Sequence, residues 1–268
     1  MNILKEESLT SITSSLCNIM GISPPENANA PSEELVNYAK EVFCGGVADK
    51  VLMYNPDAIG RWIYQKYPQL MRDLLETVDV ELPLTSVMPT VTPVNFATMY
   101  SGLTPDGHGI KQYEKPVLQV ETIFDILIKA GKKPAIVAHN GCSVSKIFLE
   151  RDMDYFTFRR EAEVHAKVAE LIIENKHDFI AVHACDYDTI MHKFGPESVE
   201  ALAELRVNSS AYRTFDQLVR THWSGHNVFM GFAMDHGCHE IDSNAGAHGL
   251  DMAEDVQITH FYKAYKAE

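Results

Sequence analysis

The sequence predicts an α/β fold, in which a mainly parallel central sheet carries helices on both faces. Two observations lead to this prediction. From Lys50 onward, short apolar runs alternate with amphipathic helical patterns, and 46% of the 268 residues are hydrophobic, enough for one large core. Strands that alternate with helices of this length are joined by right-handed crossovers and lie parallel. Ligands bind such sheets beyond the carboxyl ends of the strands.

The individual elements follow from the periodicity of the apolar residues. Continuous apolar runs are typical of strands buried on both faces, and apolar residues at a spacing of about 3.6 are typical of helices. The predicted strands are 50–55, 133–139, 178–184, 226–234 and 256–262, and the predicted helices are 59–76, 122–131, 161–175 and 197–223.

The first part of the chain has a different pattern. Residues 1–46 are predicted to form an N-terminal helical appendage, and residues 47–268 the catalytic domain. Two short helical patterns flank the loop "GISPPENANAPSEE", where Ser32 precedes two glutamates in a good helix-capping sequence.

Composition excludes several classes of partner. The 23 basic and 37 acidic residues give a net charge of −14, which disfavours nucleic acid and anionic membranes. No stretch approaches the roughly 20 apolar residues of a membrane span, and "MNILKEESLT" lacks the basic start of a signal peptide. The five cysteines are scattered without a CxxC pair, which favours reduced thiols. We therefore expect a cytoplasmic protein.

Aspartate and histidine side chains follow three of the predicted strands. Each alone is a common cap or turn residue, but parallel strands would bring them to one edge of the sheet. Carboxylates crowded there raise each other's pKa unless cations lie between them. Imidazole and carboxylate ligands suit Zn²⁺ or Mn²⁺, and the set fits two divalent ions, zinc ahead of manganese. The residues are Asp57, Asp188, His192, Asp235, His236 and His248.

A hydroxyl lies at the predicted start of a further helix. In "PTVTPVN", Thr92 directly precedes Pro93, a residue that favours the first helical position. Thr92 is therefore either a helix cap or a nucleophile. A nucleophile at this place would have the backbone N–H groups and the positive end of the helix dipole directed at an incoming phosphate.

Three stretches together resemble the alkaline phosphatase superfamily, nearest to its type I phosphodiesterase/nucleotide pyrophosphatase branch. They are "PTVTPVNFATMYSGLTPDGHGI", "DYDTIMHKFGPES" and "DHGCHEID…GAHG", and the resemblance runs from Val51 to His248. It implies an alkaline phosphatase-like core and a metal-dependent phosphoric ester hydrolase that acts on small-molecule phosphoesters through a phosphothreonine intermediate at a two-metal site.

The resemblance also implies a role for each residue. Thr92 would be the nucleophile, and Asn95 would hydrogen-bond a phosphoryl oxygen. One ion would be held by Asp188, His192 and His248, and the other by Asp57, Asp235, His236 and the Thr92 oxygen.

The sequence departs from the family pattern at three places. Ala58 follows Asp57 where a glycine is usual, and the nucleophile motif is Thr-Pro-Val-Asn instead of Thr-Phe-Pro-Asn. Only eleven residues separate His236 from His248, where the phosphodiesterases commonly insert a substrate-covering segment. We therefore expect a reduced or absent cap.

The substrate class is predicted from the arginines. A phosphomonoester dianion usually requires a guanidinium near the phosphoryl group, and none lies within the three stretches. The nearest in sequence are Arg61, Arg72 and Arg151. We therefore predict hydrolysis of phosphodiesters over monoesters. A phosphomonoesterase or phosphomutase of the same superfamily, and a metal-dead protein that binds a phosphorylated ligand, remain alternatives. A sulfatase is disfavoured because its Cys/Ser-x-Pro-x-Arg motif is missing.

Five further polar residues near the motifs are interpreted as structural. His183 is interpreted as a core histidine and His108 as part of a turn, whereas His239 is expected in a solvated loop. Cys185 and Cys238 flank ligand positions and are interpreted as packing residues.

Overall fold

The computed structural model describes residues 1–242 and 244–268, and its largest element is a nine-stranded sheet. The strands are β1 Asn2–Ile3, β2 Glu7–Ser8, β3 Lys50–Pro56, β4 Val80–Thr85, β5 Pro134–His139, β6 Asp154–Phe158, β7 Phe179–Ala184, β8 Val228–Ala233, β9 His239–Ile241, β10 Ala245–Ala247 and β11 Gln257–Tyr265.

Helices fill most of the connections between these strands. They are α1 Ile12–Ile19, α2 Glu33–Val42, α3 Arg61–Lys66, α4 Arg72–Leu75, α5 Thr92–Ser101, α6 Pro105–His108, α7 Ile123–Lys129, α8 Val144–Ile147, α9 Glu161–Glu174, α10 Asp186–Phe194, α11 Val199–His222 and α12 Ala253–Val256, with 3-10 turns at Leu9–Ser11 and Pro68–Met71.

The order of strands in the sheet is β1-β4-β11-β8-β3-β7-β5-β6, and β2 also pairs with β4. Strand β11 runs antiparallel to both of its neighbours, β4 and β8, whereas the other pairs of this sheet are parallel. Strands β9 and β10 form a separate antiparallel hairpin. The predicted α/β class with a mainly parallel sheet is therefore confirmed.

The central strands are buried along their whole length. All residues of β3, β7 and β8 are buried, which explains why each was recognisable as a continuous apolar run. Their carboxyl ends lie side by side, because β3 pairs in parallel register with both β7 and β8. Polar residues that directly follow these strands are thus brought to one edge.

Two errors of the sequence prediction involve proline. The single helix predicted over 59–76 is divided into α3, a 3-10 turn and α4, and the division falls at Pro68. Proline has no N–H to continue a helix and clashes with the preceding turn. Strand β4 was missed because its sequence, "VELPLT", contains Pro83, a residue that usually argues against a central strand.

Residues 1–46 pack against the rest of the chain. Strands β1 and β2 extend the sheet beside β4. Thr13 Oγ1 donates to the carbonyl oxygen of Met99 at 2.7 Å, and Asn29 N donates to the carbonyl oxygen of Gly102 at 2.9 Å. The segment therefore supports helix α5 and its C-terminal end. The domain boundary at residue 47 stays a prediction.

Two global features concern the thiols and the helices. All five cysteines are free. In the part of the chain that the structure describes, no helix combines the length and the apolar character that crossing a membrane requires.

Candidate metal centre and nucleophile

Four segments meet at the carboxyl edge of the sheet. Asp57 directly follows β3, and Asp235 lies just beyond β8. Asp188 is in the first turn of α10, the helix that follows β7, and Thr92 is the first residue of α5. The local structure therefore delivers carboxylates from three strand ends and one hydroxyl from a helix N-terminus.

The first group of predicted ligands surrounds the Thr92 hydroxyl. Thr92 Oγ1 donates to Asp57 Oδ2 at 3.3 Å and lies 3.5 Å from His236 Nε2. His236 Nε2 is 3.5 Å from Asp57 Oδ1 and 3.3 Å from Asp235 Oδ2. All four residues are buried. The structure brings together the Thr92-side set as the sequence predicted it.

The second group of predicted ligands centres on Asp188. Its Oδ1 lies 3.3 Å from His192 Nε2 and 3.4 Å from His248 Nε2, and these two nitrogens are 3.1 Å apart. The His192 side chain is 43% exposed, so this end of the centre is open to solvent. The rings of His236 and His248 have centroids 4.2 Å apart, which places the two groups side by side.

The three imidazoles share one orientation. His192 Nδ1 donates to the Gly246 carbonyl at 2.9 Å, His236 Nδ1 to the Gly237 carbonyl at 2.9 Å, and His248 Nδ1 to the Thr90 carbonyl at 2.7 Å. A carbonyl can only accept, so each neutral ring carries its proton on Nδ1 and a lone pair on Nε2. Three lone pairs are thus directed at the carboxylates and, for His192 and His248, at one another.

The carboxylates of the centre also have oxygen atoms that no donor satisfies. Asp57 Oδ1, Asp188 Oδ1 and Asp235 Oδ2 are buried atoms without a hydrogen-bond partner in residues 1–242 and 244–268. Buried unpartnered oxygens are rare because they lose their hydration without compensation. Carboxylate oxygens and imidazole lone pairs that converge in this way are chemically suited to hold metal ions.

In the metal-free protein, protons bound to some of these side chains neutralise part of the negative charge that metal ions would otherwise neutralise. Burial, with help from the Asp188 charge, raises the pKa of Asp235 to about 7. Burial also raises the pKa of Asp57, as do the charges of Asp235 and Asp188. Burial lowers the pKa of His248, but the adjacent Asp188 outweighs it and raises the value to about 9. Burial lowers the pKa of His236 to about 4. The metal-free centre therefore disfavours ionisation of Asp57 and Asp235, whereas the neighbouring His192 and His248 lower the pKa of Asp188.

Helix α5 holds the hydroxyl in place. Its first turn contains Pro93, and all ten of its residues are buried. It ends at Gly102, which has a φ of +74° and lies so close to Ala28 that an added Cβ would come within 2.7 Å of the Ala28 Cβ. The buried helix fixes Thr92 at its N-terminus, where first-turn N–H groups have no helical partner.

The contact of Asn95 with a phosphoryl oxygen stays a prediction, and within the chain the amide of Asn95 contacts backbone groups. Asn95 Oδ1 accepts from Val87 N at 3.0 Å, and its Nδ2 donates to the carbonyls of Pro89 and Val91, each at 3.3 Å. The amide is thus engaged with the loop that precedes Thr92. Asn95 is a positioning residue for that loop in this structure.

Sequence reasoning missed one residue of the centre. His183, in β7, is buried as expected, but its Nε2 donates to Asp57 Oδ2 at 2.9 Å and its Nδ1 lies 3.3 Å from Cys142 Sγ. The only signal in the sequence was a histidine near the end of a strand otherwise made of apolar residues. His183 orients Asp57 within the Thr92-side group.

Two neighbouring residues complete the surroundings. Ala58, which replaces the usual glycine, has a φ of +63°, and its N–H donates to Asp235 Oδ1 at 3.2 Å.

The expectation of a solvated His239 was wrong, because His239 is buried in β9 and its Nδ1 contacts Asp255 Oδ1 at 2.7 Å. The β9–β10 hairpin occupies the segment between His236 and His248.

The three arginines nearest in sequence are engaged elsewhere. Arg61 donates to the carbonyls of Leu84 and Ile258 and to Glu6. Arg72 pairs with Glu76, and Arg151 donates to Asp125 and to three loop carbonyls.

Comparison with known proteins agrees with this fold. Three solved structures of an ectonucleotide pyrophosphatase/phosphodiesterase 5 are similar. The murine protein has a TM-score of 0.58 at 17% identity, covering 72% of this chain and 58% of that one. An inactive murine variant in complex with AMP has a TM-score of 0.59 at 16% identity, covering 73% and 59%. The human protein has a TM-score of 0.57 at 17% identity, covering 72% and 58%.

The match with these structures is partial in length, since this chain spans less than two thirds of each of them. A search of curated proteins found no match. Among models of protein families, the one described as type I phosphodiesterase / nucleotide pyrophosphatase matches residues 54–255, which include every predicted ligand and the Thr92 hydroxyl. The chain belongs to the type I phosphodiesterase/nucleotide pyrophosphatase family.

Proposed function

We propose that this chain is a metal-dependent phosphoric ester hydrolase with Thr92 as its nucleophile. The observation that carries the proposal is the Thr92 hydroxyl, held 3.3 Å from Asp57 Oδ2 at the N-terminus of a buried helix, beside the oriented lone pairs and unpartnered oxygens. Two divalent ions, zinc ahead of manganese, would activate the hydroxyl and neutralise charge on the phosphoryl group. Their ligands would be Asp57, Thr92, Asp188, His192, Asp235, His236 and His248.

The proposed reaction consists of two successive displacements at phosphorus. The Thr92 oxygen attacks phosphorus and loses its proton toward Asp57 Oδ2, to which it already donates. The bond from phosphorus to the leaving oxygen breaks, and this oxygen takes a proton from solvent and leaves as the alcohol, while Asp57 returns its proton to solvent. Water then attacks the phosphothreonine, releases the phosphate product and restores the hydroxyl. First-turn N–H groups of α5 bind the phosphoryl oxygens.

The surroundings of Thr92 favour a phosphodiester over a phosphomonoester. A monoester dianion carries one charge more than a diester, and Arg61, Arg72 and Arg151 are all engaged away from the site. The exposed side of His192 leaves room for a leaving group. AMP in the complex of the murine relative makes nucleoside phosphodiesters the first natural class to test.

The test combines metal analysis with a substrate panel. Elemental analysis of the purified protein is followed by kcat/KM for bis-(p-nitrophenyl) phosphate, p-nitrophenyl thymidine 5′-phosphate and p-nitrophenyl phosphate, with zinc or manganese added. We expect both diesters to exceed the monoester, and the activity to disappear with a chelator. A preference for the monoester would overturn the substrate class, and no turnover of any ester by the metal-loaded protein would overturn the proposed activity.

A further inference from the structure

Outside the centre around Thr92, the described residues contain another group with metal-binding chemistry. We propose that His139, Cys185 and Asp186 form an additional site for a divalent transition-metal ion. This site shares no ligand with the candidate centre, and it gives a function to Cys185, which the sequence had indicated as a packing residue.

The fold brings these three residues together from two neighbouring strands. His139 is the last residue of β5, Cys185 directly follows β7, and Asp186 is the first residue of α10. Because β5 and β7 pair in parallel, their carboxyl ends lie at the same edge. One donor atom from each residue lies within 4.8 Å of the other two. This spacing is compatible with a shared ion.

The imidazole of His139 has an unsatisfied nitrogen atom. Its Nε2 lies 3.6 Å from Asp186 Oδ1, is buried, and has no hydrogen-bond partner among residues 1–242 and 244–268. A buried ring nitrogen without a partner is unfavourable unless something else occupies its lone pair or its proton. An ion shared with Asp186 would satisfy it.

Additional negative charge surrounds Asp186. Donor oxygens of Glu161, Asp186 and Glu204 also lie within 4.8 Å of one another. Glu161 Oε2 accepts from Asp186 N at 2.8 Å and thereby caps α10. Only one of the two carboxylate oxygens of Glu161 takes part in this cap. The Glu161 side chain is 4% exposed, and its other oxygen, Oε1, has no hydrogen-bond partner in the described part of the chain.

Lysine and arginine do not pair with these carboxylates in the part of the chain that the structure describes. Among the described residues, the side chains that approach Glu161 and Asp186 as ion-pair partners are His165 and His139, and neither lysine nor arginine does so. Three carboxylates that converge without a cation repel one another. A divalent ion at Asp186 would relieve this repulsion, and the 39% exposure of the Asp186 side chain gives it access from solvent.

The kind of ion follows from the donors. A thiolate, an imidazole and a carboxylate together favour zinc and related transition ions over Mg²⁺ or Ca²⁺, which prefer oxygen alone. The candidate centre around Thr92 has no cysteine among its ligands. A metal–thiolate signal that depends on Cys185 therefore reports the additional site.

Cobalt substitution uses this difference. The protein is freed of metal with a chelator, dialysed and titrated with Co²⁺ while the near-ultraviolet thiolate-to-cobalt charge-transfer absorption is recorded. We expect this absorption in the wild type, its loss in Cys185→Ser, and its retention in the matched control Cys44→Ser, whose cysteine is exposed. At saturation, Cys185→Ser should bind one equivalent of metal fewer than the wild type.

A second variant keeps the thiol and removes the imidazole. His139→Gln should weaken the affinity of the thiolate-reporting site for cobalt by at least about tenfold, with circular dichroism used to show that the variant is folded. No thiolate absorption in the cobalt-saturated wild type, its persistence in Cys185→Ser, or unchanged affinity in His139→Gln would each overturn the proposal. None of these outcomes bears on turnover at Thr92, so the two proposals fail independently.

Discussion

Replacing Asp235 with asparagine should stabilise the metal-free protein, and more strongly as the pH rises. Burial raises the pKa of Asp235 from 3.8 to about 7 in the folded state. The unfolded chain therefore loses this proton first, and the contribution of Asp235 to stability falls as the pH rises between these two values. The amide of Asp235→Asn does not ionise. It keeps an acceptor for Ala58 N, which contacts Asp235 Oδ1 at 3.2 Å.

The expected size follows from about 1.4 kcal/mol for each pKa unit. The raised pKa of Asp235 therefore lowers the free energy of unfolding by about 2 kcal/mol at pH 5 and by about 4 kcal/mol at pH 8. Relative to the wild type, Asp235→Asn should thus gain about 2–3 kcal/mol between these two pH values. In saturating zinc the order should reverse, because the variant lacks a ligand and loses the stabilisation that binding provides.

The assay is urea unfolding of chelator-treated protein at pH 5, 6.5 and 8, followed by fluorescence of Trp62 and the buried Trp223. Asp251→Asn, at an exposed position, is the matched control and should run parallel to the wild type. A constant difference in the free energy of unfolding between Asp235→Asn and the wild type across the pH series would refute the reasoning. So would a variant that remained the more stable protein in zinc.

Substitutions at three further residues test the other parts of the centre. Thr92→Ala should abolish turnover, whereas Thr92→Ser should retain part of kcat because it keeps an oxygen at the helix N-terminus; near-normal kcat in Thr92→Ala would leave Thr92 as a helix cap only. Asn95→Ala removes the hydrogen bonds to Val87, Pro89 and Val91, so the free energy of unfolding in urea should fall by about 2–4 kcal/mol, and an unchanged value would contradict its positioning role. His183→Leu loses the donor that orients Asp57, so the affinity of the Thr92-side ion, measured by competition with a chromophoric chelator, should fall by about 10–100-fold. Equal weakening of the Asp188-side ion would argue for a general structural defect.

The predictable parts of the fold were those set by local pattern. Strands β3, β7 and β8 are continuous apolar runs, so their ends, and the polar residues after them, could be placed from the sequence. Strand β4 could not, because Pro83 counts against a strand and its pairing with β11 is a long-range contact. The break at Pro68 was a local signal that the helical periodicity on either side obscured.

The candidate site was predictable by residue type and less so by side-chain orientation. Thr92 and Asp57 approach one another as expected. An asparagine amide serves a loop or a ligand equally well, and only the tertiary structure shows that Asn95 bonds the loop. His139 and Cys185 come from distant parts of the chain, and nothing in either local sequence indicates the other. Their approach depends on the pairing of β5 with β7.

The position of β11 has a consequence for biosynthesis. In the sheet, β11 alone joins β4, which precedes Thr92, to β8 and β3, which precede Asp235 and Asp57. A ribosome releases residues 257–265 after all of these residues. While the nascent chain is still attached, the hydroxyl-bearing and carboxylate-bearing halves of the sheet have no strand between them. The central sheet of the growing polypeptide is therefore completed only when this strand, which the ribosome synthesises last of all the strands, has been inserted.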